Sequence, residues 1–437
     1  MVTFVHEAGS STAAVASFAQ ERRVQTVLGA AGGPLSRAAK NVSMLCRVPG
    51  PVDVGALTAA IRALVARHPA LQYRFVARKD QVLLRRAVRD TPEFGCTVHD
   101  AVAGQDHEAV TGGAMREAVD VPFDVLGWPL LRAGVFPGTP SLVYLSVDHA
   151  VCDGYSATVA ARDLEALYRG LVDGRPAELP PTGDFVAHSA AQRRRYADGP
   201  ELDQAVDDMR SLLRGRPVEP EFPLPVTDWD ATRGRYTVLD LLDAADTEQL
   251  ARYCRAHRVS LYMMILAAFG VAARDVADCT EVGVLVAVHN RDATTRGIGW
   301  YANMLPLYFP TFTVDRFDDG VRMVRDRLMD VLAFAELPLS RLAGRLADAA
   351  HQGAGVRSPT CFVSFERNRP ADSDGQRSGW APLDLAPSYR MGYGLWAVQD
   401  GNGIRATTAS PATRSGEPLL SRWEQRLAEV LTAVTRR

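Results

Sequence analysis

The run Ser141–Val147, Ser-Leu-Val-Tyr-Leu-Ser-Val, constrains the fold more than any other stretch of the chain. It is short and strongly apolar. A few residues later come Asp153-Gly154-Tyr155-Ser156 and then an apolar series at Leu164, Leu167 and Leu171. Such a run predicts a buried strand, the polar quartet a turn with an N-cap, and the leucine spacing a helix that stops near Gly174. A buried strand followed by a covering helix is the unit of a layered α/β protein. Upstream, apolar positions at Val54, Leu57, Ala60, Ile61, Leu64 and Val65 predict a helix over Val52–Arg67. His68-Pro69 should end it, because the residue before a proline is pushed out of the helical region. Leu71–Phe75 and Gln81–Arg86 alternate as paired strands do.

The second half repeats this grammar. Helices are predicted over Thr247–His257 and Ser260–Val276 and an apolar strand over Val282–Val288, with no sequence-level internal repeat. At 437 residues the chain exceeds one ordinary core. The adjacent prolines of Leu179-Pro180-Pro181-Thr182-Gly183 break both helix and sheet hydrogen bonding, so they mark a crossing between lobes. The expected division is residues 1–175, a linker over 176–190, and residues 191–437.

Composition narrows the function classes. With 47% hydrophobic and 23% charged residues the chain carries enough apolar surface for packed cores. A formal net charge of −2, with arginines scattered along the chain, offers no field for a nucleic acid. The six cysteines lie far apart without a C-x-x-C pair, which argues against a zinc knuckle or a disulfide framework and suits a reducing cytoplasm. Neither a signal peptide nor an uncharged apolar run near 18 residues is present, so neither secretion nor a membrane span is expected.

The chemistry concentrates at His149. A side chain at the end of a buried strand faces a cleft, and a glycine just beyond it admits close approach of a substrate. An imidazole can accept a proton from an amine or hydroxyl near neutral pH. By spacing alone, a packed and hydrogen-bonded histidine explains the pattern better than a catalytic one does. No second histidine stands at metal-ligand spacing from it, and G-x-S-x-G, P-loop and Rossmann patterns are missing.

Asp148-His149-Ala150-Val151-Cys152-Asp153-Gly154 resembles the HHxxxDG motif of nonribosomal peptide condensation domains, polyketide-associated acyltransferases and chloramphenicol acetyltransferase. It also resembles the DHxxxDG of dihydrolipoyl acyltransferases. Further ordered matches favour the condensation domains. Pro34-Leu35-Ser36 resembles their opening motif, Arg67-His68-Pro69-Ala70-Leu71 through Phe75 their RHExLRTxF, and Gly183-Asp184-Phe185-Val186 their YxDFAxW. Asn290-Arg291-Asp292 with Ile298 through Leu307 resembles their floor-loop motif, and Cys361–Asn368 sits where they have a bridging strand.

The resemblance implies an α/β fold of two chloramphenicol acetyltransferase-like lobes, arranged as a V-shaped pseudo-dimer around a central active-site tunnel. It puts a floor loop at about 290–310 and a bridging or latch segment at about 360–390. It implies that His149 contacts the nucleophile as base or positioner and that the Gly154 amide lies near a developing oxyanion. Asp153 is implied to be structural, in a buried bidentate ion pair with Arg291 from the other lobe. The first histidine of the pair is here Asp148, read as a backbone-bonding replacement on the opposite side of the strand. Asn303, Tyr155, Trp300 and Ser364 are candidate substrate-lining residues, Asn303 equally a turn-stabilising one. Cys152 reads as buried rather than nucleophilic and His289 as structural. Tyr301, Tyr393 and Trp396 read as packing or lining.

The implied activity is acyl transfer from a carrier-protein thioester to an amine or hydroxyl acceptor in natural-product assembly. The site would need no metal or cofactor, and the enzyme would be a free-standing cytoplasmic monomer or an excised domain. Two alternatives are an O-acyltransferase using acyl-coenzyme A and a catalytically silent recruitment domain.

Overall fold

The computed structural model describes residues 14–29, 41–78, 82–86, 95–100, 117–291, 296–346, 360–367, 380–383 and 392–436. Pro34-Leu35-Ser36, Asp292 and Asn368 lie outside the described residues. The strands in chain order are β1 (Ala14–Val15), β2 (Asn41–Val48), β3 (Tyr73–Ala77), β4 (Val82–Arg86), β5 (Thr97–Val98), β6 (Leu131–Phe136) and β7 (Ser141–Asp148). They continue as β8 (Asp230–Asp243), β9 (Glu281–His289), β10 (Ala302–Pro310), β11 (Thr360–Arg367), β12 (Ala381–Leu383), β13 (Gly392–Asp400) and β14 (Gly403–Ala412). The helices used below are α1 (Phe18–Gly29), α2 (Val54–Arg67), α3 (Gly154–Val172), α4 (Phe185–Arg195), α5 (Pro200–Leu213), α6 (Ala244–His257), α7 (Leu261–Ala277), α8 (Phe317–Leu332), α9 (Leu339–Leu346) and α10 (Glu417–Thr435).

The contacts divide the chain into two compact units. The first holds Met1–Ala197, Arg291–Tyr301 and Gly375–Ser388; the second holds Asp198–Asn290, Ala302–Asp374 and Tyr389–Arg437. The expected division at residues 176–190 treated everything beyond it as one lobe. Instead Arg291 and residues 296–301 group with the first unit, where backbone amides of the segment meet the side chains of His68, just past α2, and of Ser156 on α3. The linker expectation also missed α4, which starts at Phe185 because the Asp184 carboxylate caps the amides of Val186 and Ala187.

In the first unit a five-stranded sheet runs in the order β12-β2-β7-β6-β5, beside a small β1-β4-β3 sheet. All eight residues of β7 are buried, its apolar stretch Leu142–Leu145 and Val147 together with Ser141, Ser146 and Asp148. Gly134 on β6 sits opposite Tyr144 on β7. A β-carbon there would stand 2.4 Å from the tyrosine ring, so only glycine fits. Helix α2 begins where Asp53 caps Ala56 N–H and ends at His68 as expected. Its Leu57, Ala60, Ile61 and Leu64 are at most 1% exposed and join Val159, Ala160 and Leu164 of α3 in one core. Truncating a buried leucine such as Leu64 to alanine should cost about 2–5 kcal/mol.

The second unit is built on a six-stranded sheet, β10-β9-β11-β13-β14-β8. Parallel β11 lies between β9 and β13, and the remaining pairs are antiparallel. Helices α7, α8 and α10 share its core with the sheet, around the fully buried Trp423 and Phe269. Among the described residues no single helix is long and apolar enough to cross a membrane. The pair α6 and α7 together reach such a composition, but they are bent by 99° and α7 lies in this core.

Candidate active site

His149 follows directly on β7 and is partly exposed, so its ring is not sealed in the core. The residues flanking it are immobilised. Asp148 is fully buried; its Oδ1 accepts the Ala150 N–H at 2.8 Å and its Oδ2 accepts Arg23 Nη2 at 3.0 Å. Asp148 therefore bonds the local backbone, and it takes a buried cation as well. The carbonyl of Ala150 accepts Gln20 Nε2 at 2.8 Å, so α1 grips the turn twice. Gln20 and Arg23 escaped the sequence reading, since their amphipathic helix carries no motif.

Asp153 is the N-cap of α3 and the hub of the site. Its Oδ1 accepts the Ser156 N–H at 2.8 Å and Arg291 Nη2 at 2.8 Å, and its Oδ2 accepts the Tyr301 N–H at 2.9 Å. Both charged side chains of the ion pair are only 2% exposed. The pair is not bidentate as expected. The backbone of Tyr301 occupies the second carboxylate oxygen, and Arg291 Nη1 donates to Gly297 O instead. The guanidinium also lies over the rings of Tyr301 (4.0 Å) and Tyr155 (4.9 Å).

Three separated sequence motifs converge on the segment 297–301, which lies in a fourth. Ile298 N–H donates to His68 Nδ1 at 3.3 Å, while His68 Nε2 lies 2.9 Å from Asp163 Oδ2. One ring nitrogen accepts, so the other carries the proton, and the ring is the Nε2–H tautomer. Gly299 N–H donates to Ser156 Oγ, and Gly299 O accepts the Asp153 N–H at 3.1 Å. Phe185 packs so closely that a β-carbon on Gly299 would stand 2.4 Å from its ring, and one on Gly297 would stand 2.6 Å from Gly183 O. The motif glycines are thus sites of close approach. The bonds of Ser156 to Gly299 and of His68 to Asp163 also went unread in the sequence.

Held in this way, Trp300 is partly exposed and lies against His149, with ring centroids 4.3 Å apart and planes inclined by 46°. Gly154, at the first turn of the 19-residue α3, is exposed. An amide at a helix N-terminus, on an exposed residue, suits a developing negative charge. Cys152 is fully buried, and burial, with Asp153 nearby, pushes its thiol far above the ordinary range, which fits the inert reading.

The remaining candidates fall in the second unit. Asn303 Nδ2 donates to the carbonyls of Ala335 and Leu337, and its Oδ1 accepts Leu339 N–H, so its amide shapes the start of α9. That is the turn-stabilising role rather than the lining one. Ser364 is half-buried on β11 opposite Trp396 of β13, and Trp396 packs edge-on against Phe362. Tyr393 is fully buried and stacked on Phe222 at 4.0 Å, which makes it packing. His289 ends β9 on the surface.

The sequence profile of the Condensation domain family matches residues 12–356. The chain belongs to the condensation-domain family. Condensation domains are acyltransferases that form amide or ester bonds, and that is the reaction class of this chain. It is 28% identical over 338 residues to phosphinothricin tripeptide synthetase PhsC of Streptomyces viridochromogenes, an alignment covering 74% of this chain and 30% of the synthetase. The chain thus spans about a third of that curated relative. In fold it resembles the X-domain from teicoplanin biosynthesis, with a TM-score of 0.75 and 17% identity over 98% of this chain and 96% of that one. It likewise resembles the first condensation domain of the calcium-dependent antibiotic synthetase, with a TM-score of 0.73 and 23% identity over 97% of each chain. The chloramphenicol acetyltransferase-like α/β fold expected from the motifs is the observed one.

Proposed function

We propose that this condensation domain transfers an acyl group from the phosphopantetheine thioester of a carrier protein to an amine or hydroxyl acceptor. His149 contacts the attacking N–H or O–H and Gly154 N–H faces the carbonyl oxygen as charge develops. The C–N or C–O bond forms, the C–S bond breaks, and the acceptor's proton passes through His149 to the departing thiolate. Asp153, Arg291 and Asp148 hold the turn that presents these two groups. Chemistry of this kind draws on side chains and backbone alone, so no cofactor enters the proposal. Positioning supplies much of the acceleration, and proton transfer adds roughly 10²–10⁴-fold.

The observation that carries the reading is the joint state of the turn. His149 and Gly154 reach solvent while Asp148, Cys152 and Asp153 between and beside them are buried and, for the acids, hydrogen-bonded. The test is mass spectrometry of an acyl-loaded carrier protein incubated with acceptor and enzyme, with acyl-coenzyme A in parallel. Product is expected from the carrier donor, with a loss on the order of 10²–10⁴-fold in His149→Ala. Undiminished product in that variant would end the proposal, and a preference for acyl-coenzyme A would reassign the donor.

A further inference from the structure

We propose that Trp300 is a positioning residue for His149, its indole face serving as the wall that sets the imidazole and stabilises the charge the ring acquires during proton transfer. The proposal rests on the acyl-transfer reading above for its kinetic consequence, but not for the contact itself.

The geometry carries it. Each neighbour of Trp300 is fastened: Ile298 N–H to His68, both backbone groups of Gly299 to Ser156 and Asp153, and Tyr301 N–H to Asp153. Phe185 closes the space behind Gly299. Trp300 is the partly exposed side chain in this otherwise buried run from Gly297 to Tyr301, and its ring meets His149 at 4.3 Å. On the other side the residues flanking His149 are fixed, with Asp148 bonded to the Ala150 N–H and to Arg23. Two rigid segments therefore deliver two rings to one contact. The ring separation lies within the usual range for attraction between a cation and an aromatic face. As His149 takes the acceptor's proton it becomes such a cation, so the contact strengthens in the transition state.

The test compares Trp300→Phe with Trp300→Leu, since both keep an apolar side chain and only one keeps a π face. Trp300→Leu is expected to lower kcat on the order of tenfold, with KM within about twofold, while Trp300→Phe stays within about threefold of the native enzyme. A second measurement needs no turnover. In histidine-labelled protein, the His149 ring-proton resonance, assigned by its disappearance in His149→Gln, should lie upfield through the indole ring current. It should shift back in Trp300→Leu and only partly in Trp300→Phe. Equal kcat for the two variants, or a His149 resonance unmoved by Trp300→Leu, would overturn the proposal. Full activity in His149→Ala would overturn the acyl-transfer roles instead, and the resonance would still decide the ring contact.

Discussion

The Asp163 carboxylate stands 2.9 Å from His68 Nε2, and that contact dictates that the other imidazole nitrogen receives the Ile298 N–H. A buried acid on α3 thereby controls the backbone at Ile298, 135 residues further along the sequence. Asp163 also takes Arg67 Nε at 2.8 Å. Asp163→Ala leaves the fully buried His68 without its acceptor, while Arg67 keeps Pro180 O, and should cost about 1–3 kcal/mol. Asp163→Asn, still able to accept from Nε2–H, should cost less. Urea midpoints at constant slope measure both.

Removing Arg291 leaves the buried Asp153 without its cation, so Arg291→Ala should lose about 3–5 kcal/mol and most activity. Arg291→Lys should recover little, because an ammonium cannot reach Asp153 and Gly297 together while lying over Tyr155 and Tyr301. The cost of Asp153→Ala with Arg291→Ala should fall well below the sum of the single costs, which a double-mutant cycle reads directly.

Gly299→Ala places a methyl group 2.4 Å from Phe185. Overpacking of this kind should cost about 1–3 kcal/mol and disturb the loop that carries Trp300. Combining it with Phe185→Leu should return part of the melting temperature. A further loss in the pair would refute the steric account.

Cys152 should resist alkylation in the native enzyme at pH 8, since its thiol is both buried and held in the neutral form. Cys96, half-buried with its thiol pushed up to about 11, should react slowly. Iodoacetamide labelling followed by peptide mass spectrometry, with and without urea, separates the two.

Asp228 accepts hydrogen bonds from the hydroxyls of Thr413 and Ser415 and the amides of Arg414 and Ser415, which hold its carboxyl below the usual carboxylate range. A depressed folded value means the stabilisation is present above the unfolded pKa near 4 and fades as pH falls through the lower folded value. Asp228→Asn should therefore flatten the loss of stability below about pH 4. A stability–pH curve parallel to the native one would contradict this.

Much of the first unit was legible because its signals are local. The apolar run of β7, the N-cap at Asp153 and the helix after it sit in one unbroken stretch, and His149 and Gly154 are read from it directly. Arg291 became legible only through an ordered motif, and its geometry did not, because a sequence cannot show that the Tyr301 amide claims the second oxygen of Asp153. Arg23 and Asp163 were invisible for a different reason. Each meets its partner across more than 90 residues, and a charged residue on an amphipathic helix looks the same whether it faces solvent or a buried acid. The compact grouping of residues 291–301 was hidden as well. β9 and β10 pair from Ala302↔His289 onward, so the intervening chain reads as a simple hairpin loop of the second half.

Because every residue of β7 lies inside the protein, this strand offers no outer surface on which a change could be written without breaking the core. An engineer wishing to retune this enzyme gains nothing by editing the approach to the imidazole. The adjustable positions are Trp300 and Tyr155, each partly exposed beside the buried residues that hold the turn.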